Sequence, residues 1–208
     1  MKTALAALLL AASASAEPIA GGGGATISAS AGELIYTAQP APNGVNGQIV
    51  LRKLAADGGV FWDLRFGRGR GDEATALATT ADGGVVVAGP YKGGCFAARW
   101  DGQGRSIWEV SPNGAGLCHP AGVVSDGEGS TYVLAAVKGA AGFDAMVWKL
   151  SRQGDVVWNY RYSSNESLYP QNLYLDPRGD RVRAYVLRKN GSEYAEEFFR
   201  LDSAGRKL

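Results

Sequence analysis

Short apolar runs and short polar turns alternate along this chain in a pattern that returns about every 50 residues. Four segments place a polar turn between an apolar strand and an aromatic or apolar one: "LRKLAADGGVFW" (51–62), "AARWDGQGRSIW" (97–108), "VWKLSRQGDVVW" (147–158) and "FFRLDSAGRKL" (198–208). Trp62, Trp108 and Trp158 recur at spacings of 46 and 50, and Leu54, Trp100, Leu150 and Leu201 at 46, 50 and 51. A second hairpin alternates with the first: "ATISASAGELIYTA" (25–38), "ALATTADGGVVVAG" (76–89), "AGVVSDGEGSTYVLAAV" (121–137) and "NLYLDPRGDRVRAYVL" (172–187). Trp62 precedes Asp82 by 20 residues, and Trp108 and Trp158 precede Asp126 and Asp176 by 18.

Runs such as Val85-Val86-Val87 and Phe96 to Trp100 suit a pleated, buried strand, and the Gly, Asp and Asn between them suit turns. Each unit then holds four strands, and four strands in about 40 to 50 residues is the size of one β-propeller blade. The pattern predicts an all-β fold, a β-propeller-like array of four four-stranded blades at 25–66, 74–111, 120–161 and 170–208, forming a small or incomplete propeller. Helix is disfavoured: 30 of 208 residues are Gly, and Pro120 and Pro170 are expected ahead of the inner strands. The last unit stops at Leu208, read as the position of Trp62, so its outermost strand has almost no residues. Residues between Glu17 and Ser28 are therefore expected to pair with the last blade, or the chain to form half of a dimeric or truncated ring.

The first residues place the chain in a compartment. Lys2, the apolar run Ala4 to Ala12 and the small-x-small site Ala14-Ser15-Ala16 form a secretory signal peptide over 1–16, leaving a mature domain over 17–208. Glu17 rather than Cys follows the cleavage site, unlike a bacterial lipoprotein. The apolar run is too short for a lasting membrane anchor, which needs about 20 residues, and no later segment approaches that length. The protein is expected to be exported, periplasmic or secreted, with no membrane span. Cleavage removes one of 21 basic residues and none of 20 acidic ones, so the mature chain is neutral and lacks the basic tract that nucleic-acid binding requires. In an oxidising compartment the two cysteines, Cys95 and Cys118, are expected to pair: they fall in the second-to-third-strand loop of one blade and the connection to the next, on the same face.

The succession of strand, Asp-x-x-Gly, Trp, Gly-x-Gly-x-Asp-x-Ala, Asp-Gly-Gly and apolar strand resembles the SBBP-type β-propeller repeats of exported bacterial proteins. Leu51 to Gly104 carries the likeness best, through Trp62, Gly67, Gly69, Asp72, Ala74, Asp82, Gly83, Gly84, Gly89 and "RWDGQG". The later units have "SPNGAGLCHP" and "YSSNESLYPQ" in place of Gly-x-Gly-x-Asp. The resemblance implies a propeller and no particular activity.

Candidate chemistry thins out on inspection. "FGRGRGDEATALATTADGG" contains an Arg70-Gly71-Asp72 tripeptide and a Gly69-x-Gly71-x-x-Ala74 turn. A dinucleotide site needs a helix after the glycines and an acid about 20 residues on, and "GPYKGG" stands where the acid belongs. The repeat accounts for both motifs, with Asp72 bonding its own turn. The recurring tryptophans read as packing between sheets rather than a sugar-stacking stripe. His119 is the sole histidine, and no Gly-x-Ser-x-Gly elbow accompanies it. "DGEGS" (126–130) is short of a calcium loop and reads as a hairpin turn, while the sequons at Asn165 and Asn190 read as turn residues. No cofactor is expected.

The longest and most varied loops share one face. They give a candidate contact set of Arg68, Arg70, Glu73, Tyr91, Lys92, His119, Asn165, Glu166 and Tyr169. The reading is an exported, non-catalytic binding or scaffold protein for an extracytoplasmic protein, peptide or glycan, with a homodimer if the ring is incomplete. The alternative is an enzyme with its active site on the propeller face, a lyase, hydrolase or quinoprotein-like oxidoreductase.

Overall fold

A computed structural model describes residues 26–41, 48–67, 72–91, 93–112 and 116–208. The signal segment and Arg68, Arg70 and Lys92 lie outside these residues, as does most of the tripeptide around Gly71. Every regular element described is a strand. The first sheet contains β1 (Ile27–Ala31), β2 (Leu34–Pro40), β3 (Ile49–Ala55) and β4 (Val60–Phe66). The second contains β5 (Ala76–Thr79), β6 (Val85–Tyr91), β7 (Gly94–Trp100) and β8 (Ser106–Val110), and the third β9 (Cys118–Ser125), β10 (Thr131–Lys138), β11 (Phe143–Leu150) and β12 (Val156–Tyr162). The fourth contains β13 (Leu168–Leu175), β14 (Arg181–Asn190) and β15 (Glu193–Asp202).

Strands neighbouring in sequence neighbour in each sheet and run antiparallel, so every sheet is an up-and-down meander. The sheets pack face to face in chain order: β1 on β5, β5 and β6 on β9, β9, β10 and β11 on β13. No comparable packing joins the fourth sheet to the first among the described residues. The described residues form a β-propeller-like arc of four blades, open at one seam among them.

The fourth sheet has three strands, with a single bridge from Leu201 to Lys207 where the short outermost strand was expected. Of the residues expected to close the ring, Ile27 and Ser28 pair instead with Ala38 and Thr37 of β2, and Glu17 to Ala25 lie outside the described residues. The turn glycines also shift the last alignment by one. Trp62, Trp108 and Trp158 each follow a positive-φ glycine (Gly58, Gly104, Gly154) by four residues, so Gly205 sets Leu208 beside Phe61, Ile107 and Val157 instead.

Alternation along the strands explains the three cores. Val85 and Val87 of β6 face the first sheet and join Tyr36, Ile49, Leu51 and Trp100, while Val86 and Ala88 face the third and join Trp108, Val133 and Trp148. Tyr132, Leu134 and Val147 then meet Leu173, Val182, Val186 and Phe199 of the fourth sheet. A sheet buried on both faces has no polar face to alternate with, which is why β7 is apolar almost throughout and β10 nearly so. Pro120 and Pro170, expected ahead of the inner strands, lie inside β9 and β13 beside register shifts. An innermost strand has one unpaired edge, so the missing N–H of proline costs no ladder bond there. Cys95 of β7 and Cys118 of β9 form a disulfide with Cα atoms 5.3 Å apart, and both sit in strand ends rather than loops.

Candidate functional site

One device, repeated three times, locks each sheet to the next. The indole N–H of Trp62 donates to Gly102 O (3.1 Å), that of Trp108 to Arg152 O (3.0 Å) and that of Trp158 to Ser203 O (2.9 Å), each acceptor lying in a turn of the following sheet. The rings rest on Gly104, Gly154 and Gly205, where a Cβ would come within 3.1, 2.8 and 2.7 Å of the indole. These glycines also have φ of 80 to 93°, so two constraints select the same residue.

A cation stands opposite each tryptophan: Lys53, Arg99 and Lys149. Lys53 Nζ donates to Gly102 O at 2.8 Å. Arg99, 2% exposed, donates to Gly129 O of the third sheet (3.0 Å) and to Asp82 (2.7 Å). The Thr80 hydroxyl, with the Arg99 guanidinium behind it, holds the Asp82 carboxyl below its ordinary range. Lys149 sits 5.2 Å over the Tyr132 ring. At the first interface burial pushes the Tyr36 phenol up to about 12, and its hydroxyl donates to Gly83 O.

Arg200 is the fourth member of this cation series, one residue before Leu201, but its side chain lies on the free face of the fourth sheet. The residues around it break the pattern. Arg183 pairs with Arg200 where Tyr36, Val86 and Tyr132 pair with Lys53, Arg99 and Lys149. The next pair on that face is Tyr185 with Phe198, where the other sheets have Ala38 with Leu51, Ala88 with Ala97 and Leu134 with Val147. Tyr174 replaces Ala29, Ala78 and Val124. At three positions small or aliphatic side chains, where blades close on one another, give way here to rings, and at the fourth Tyr36, Val86 and Tyr132 give way to the Arg183 guanidinium.

Tyr174 meets Tyr185 edge to face (5.6 Å, 82°), Tyr185 and Phe198 lie side by side (5.9 Å, 32°), and the Arg183 guanidinium is 5.5 Å from the Phe198 ring. A cleft of about 550 Å³ opens here, lined by Tyr174, Arg181, Arg183, Tyr185 and Arg200. Asp176 borders it but is spent on its own turn, accepting the Asp180 and Arg181 N–H groups at 3.1 and 3.3 Å. Among the described residues neither Arg183 nor Arg200 has an acidic partner, and Arg181 comes only to 3.9 Å from Asp180. Within the third sheet, by contrast, Arg161 pairs with Asp144 at 2.6 Å, and in the fourth Arg188 pairs with Glu166 of the preceding loop at 3.2 Å and with Glu197 at 3.4 Å. The Tyr162 hydroxyl donates to Glu197, and that bond, with burial, pushes the phenol up to about 12. Rings and fork-shaped donors with no acid of their own can stack flat groups and hold carboxylates.

Six of the loop candidates lie within the described residues. Glu73 is exposed just before β5, and Tyr91 ends β6, half-buried against the first core. His119 is exposed in β9, across from Ala136 and next to the disulfide. Asn165 is exposed, and Glu166 is committed to Arg188. Tyr169 lies between the rings of Phe143 (6.2 Å) and Tyr194 (5.8 Å). None of these six lines a described cavity. "DGEGS" is a turn: the Asp126 carboxylate accepts from Glu128 N, Ser130 N and the Tyr132 hydroxyl. "ATALATT" contains strand β5, not the helix a dinucleotide turn needs. The sequence held the signal for Arg183, Tyr185, Phe198 and Arg200, which appears when the four units are compared position by position rather than loop by loop.

No family model and no curated protein matches the chain. Solved structures resemble it in fold. A protein from Lactobacillus plantarum matches with 14% identity and a TM-score of 0.50, over 85% of this chain and 60% of that one. A protein described as a 6-phosphogluconolactonase from Bacteroides uniformis matches with 14% identity and a TM-score of 0.48, over 80% and 52%. A subtype N10 neuraminidase-like protein of a little yellow-shouldered bat influenza virus from Guatemala matches with 12% identity and a TM-score of 0.45, over 78% and 54%. The chain spans a little over half the length of each.

Proposed function

We propose that this is an exported, non-catalytic binding module, an arc of propeller blades that offers the free face of its fourth sheet to a partner. One observation carries the reading: at four aligned positions where the other sheets hold closing residues, this face holds Arg183, Tyr185, Phe198 and Tyr174, and of the arginines beside its cleft Arg183 and Arg200 have no acidic partner among the described residues. Tyr, Phe and Arg are the residues that dominate binding energy where surfaces meet, because each offers large area or several donors at small entropic cost. The Cys95–Cys118 disulfide supports an oxidising compartment, as does the amino-terminal signal pattern. No helix among the described residues is long and apolar enough to cross a membrane.

The test is a panel of envelope-derived glycans, peptides and proteins offered to residues 17–208, with each bound ligand recovered and weighed by mass spectrometry. The expected outcome is capture without chemical change, weakened by the double variant Tyr185→Ala/Phe198→Ala and indifferent to Glu73→Ala/Asn165→Ala. A ligand returned with altered mass, or binding sensitive only to the loop variant, overturns the reading.

A further inference from the structure

Resting on that reading, we infer that the fourth-sheet face recognises an acidic glycan, a saccharide chain bearing carboxylates, through the Tyr185–Phe198 platform and the Arg181, Arg183 and Arg200 guanidiniums. Three features of the face select this chemistry. The first is charge. Arg181, Arg183 and Arg200 line one cleft, Arg183 and Arg200 without an acid among the described residues and Arg181 with one only at 3.9 Å. A guanidinium presents a rigid planar fork that matches a carboxylate with two parallel hydrogen bonds, so the unmet demand of this cleft is for anionic oxygens.

The second feature is the disposition of the rings. Tyr185 and Phe198 lie on adjacent strands with their planes 32° apart, and Tyr174 stands at 82° to Tyr185 as a side wall. Two rings side by side make a surface on which the flat C–H face of a sugar ring packs, while the phenolic hydroxyls at its border exchange hydrogen bonds with sugar hydroxyls.

The third feature is what the face lacks. β14 is paired along its length with both β13 and β15. Its backbone N–H and C=O groups are therefore consumed inside the sheet. A peptide bound in extended form is normally read through its main chain at a sheet edge; a ligand lying on this face meets side chains only, which suits a saccharide.

A second copy of the chain fits the face poorly. The natural complement in a propeller is the free face of a first sheet, and alternation from Leu51 and Leu64 places Arg52, Asp63 and Arg65 on that face, Asp63 directly across from Arg52. Closing one face on the other would set Arg52 and Arg65 against Arg181, Arg183 and Arg200, more guanidiniums than Asp63 can pair. Tyr185 also stands where two of the three closed interfaces have Ala.

The experiment titrates oligogalacturonate, its carboxyl-reduced counterpart of equal length, and a poly-glutamate peptide onto residues 17–208 by calorimetry at low and high salt, with sedimentation at the same protein concentrations. The oligogalacturonate is expected to bind in a salt-sensitive manner and the reduced oligomer at least about 10-fold more weakly. Arg183→Gln/Arg200→Gln should weaken oligogalacturonate by about 100-fold, and Phe198→Ala by about 10-fold, with an unchanged denaturation midpoint. Four results overturn the inference: no oligogalacturonate binding; binding that survives the double arginine variant; equal affinity for the reduced oligomer; or tighter binding of poly-glutamate, which would assign the face to acidic peptides. A concentration-dependent dimer abolished by Phe198→Arg also overturns it and assigns the face to a second copy. Each of these leaves the fourth-sheet face as a docking surface; the broader reading fails separately, if partners captured from the envelope panel are indifferent to Tyr185→Ala/Phe198→Ala.

Discussion

The interface between the second and third sheets and the free face of the fourth are built on the same repeat positions and serve opposite ends. In the first, Val86, Ala88 and Ala97 are fully buried, Trp108 caps the Gly154 turn of the next sheet, and the single buried cation, Arg99, is met by Asp82 and a carbonyl. In the second, Arg183, Tyr185 and Phe198 occupy those aligned positions, and Arg200 has no acid among the described residues. Backbone register is shared while side-chain volume and charge differ, so the repeat specifies where a residue points and only local sequence decides whether that face closes or receives.

The contrast is sharpest in stability. Trp108, 7% exposed, is expected to cost about 3–5 kcal/mol when cut to Ala, by lost transfer energy plus a cavity. The check is urea denaturation followed by circular dichroism; a loss no larger than that of Phe198→Ala would erase the distinction. The disulfide across the same interface, joining residues 23 apart, should contribute about 3 kcal/mol through chain entropy. Cys95→Ser/Cys118→Ser, or reduction, should lower the midpoint accordingly, and intact mass of exported protein should show no free thiols.

Two turn glycines isolate the tryptophan latch. A Cβ on Gly154 (φ 93°) would meet Trp108 Cγ at 2.8 Å, whereas one on Gly58 (φ 87°) would meet nothing within 4 Å. Both Ala variants share the cost of positive φ, about 1 kcal/mol or more. Gly154→Ala should exceed Gly58→Ala by a further ~1–3 kcal/mol, the usual range for overpacking, and equal effects would show that the indole contact carries no energy.

Acid separates the faces as well. The folded pKa of Asp82 is depressed, so its contribution is present above the unfolded value, about 3.9, and is lost as pH falls through the folded value. Wild type and Asp82→Asn should therefore differ in thermal midpoint near neutrality and converge below pH ~4. A gap that persists in acid would mean that the carboxylate is not the source. Smallest of all, Phe198→Ala, at a side chain 52% exposed, should stay within about 0.5 kcal/mol of wild type while altering ligand binding.

The hairpin repeat was legible because period-two runs and Asp-Gly turns are local signals, and so were Trp62, Trp108 and Trp158 as packing residues and the pairing of Cys95 with Cys118. In the fourth sheet the near-absence of an outermost strand was legible too, and only the one-residue alignment of Leu208 needed the glycine φ values, which composition does not fix. The loop set was chosen for variability, which says a side chain is free to change but not that others converge on it; Glu166 has spent its charge on Arg188, and Tyr91 packs on the core. Arg183 and Tyr185 escaped notice because they sit inside a strand, where alternation reads them only as a polar face.

Among the described residues the fourth sheet does not pack on the first, so each blade leans only on its neighbours, as in a one-dimensional stack rather than a ring. Cooperativity in such a stack decays from the interior outward. The disulfide clamps the middle two blades, so amide exchange should be slowest in β6, β7 and β10, while the first and fourth sheets breathe independently. The surface proposed to receive ligand then belongs to the blade with the most freedom to adjust, and occupancy there would slow exchange first in β14 and β15.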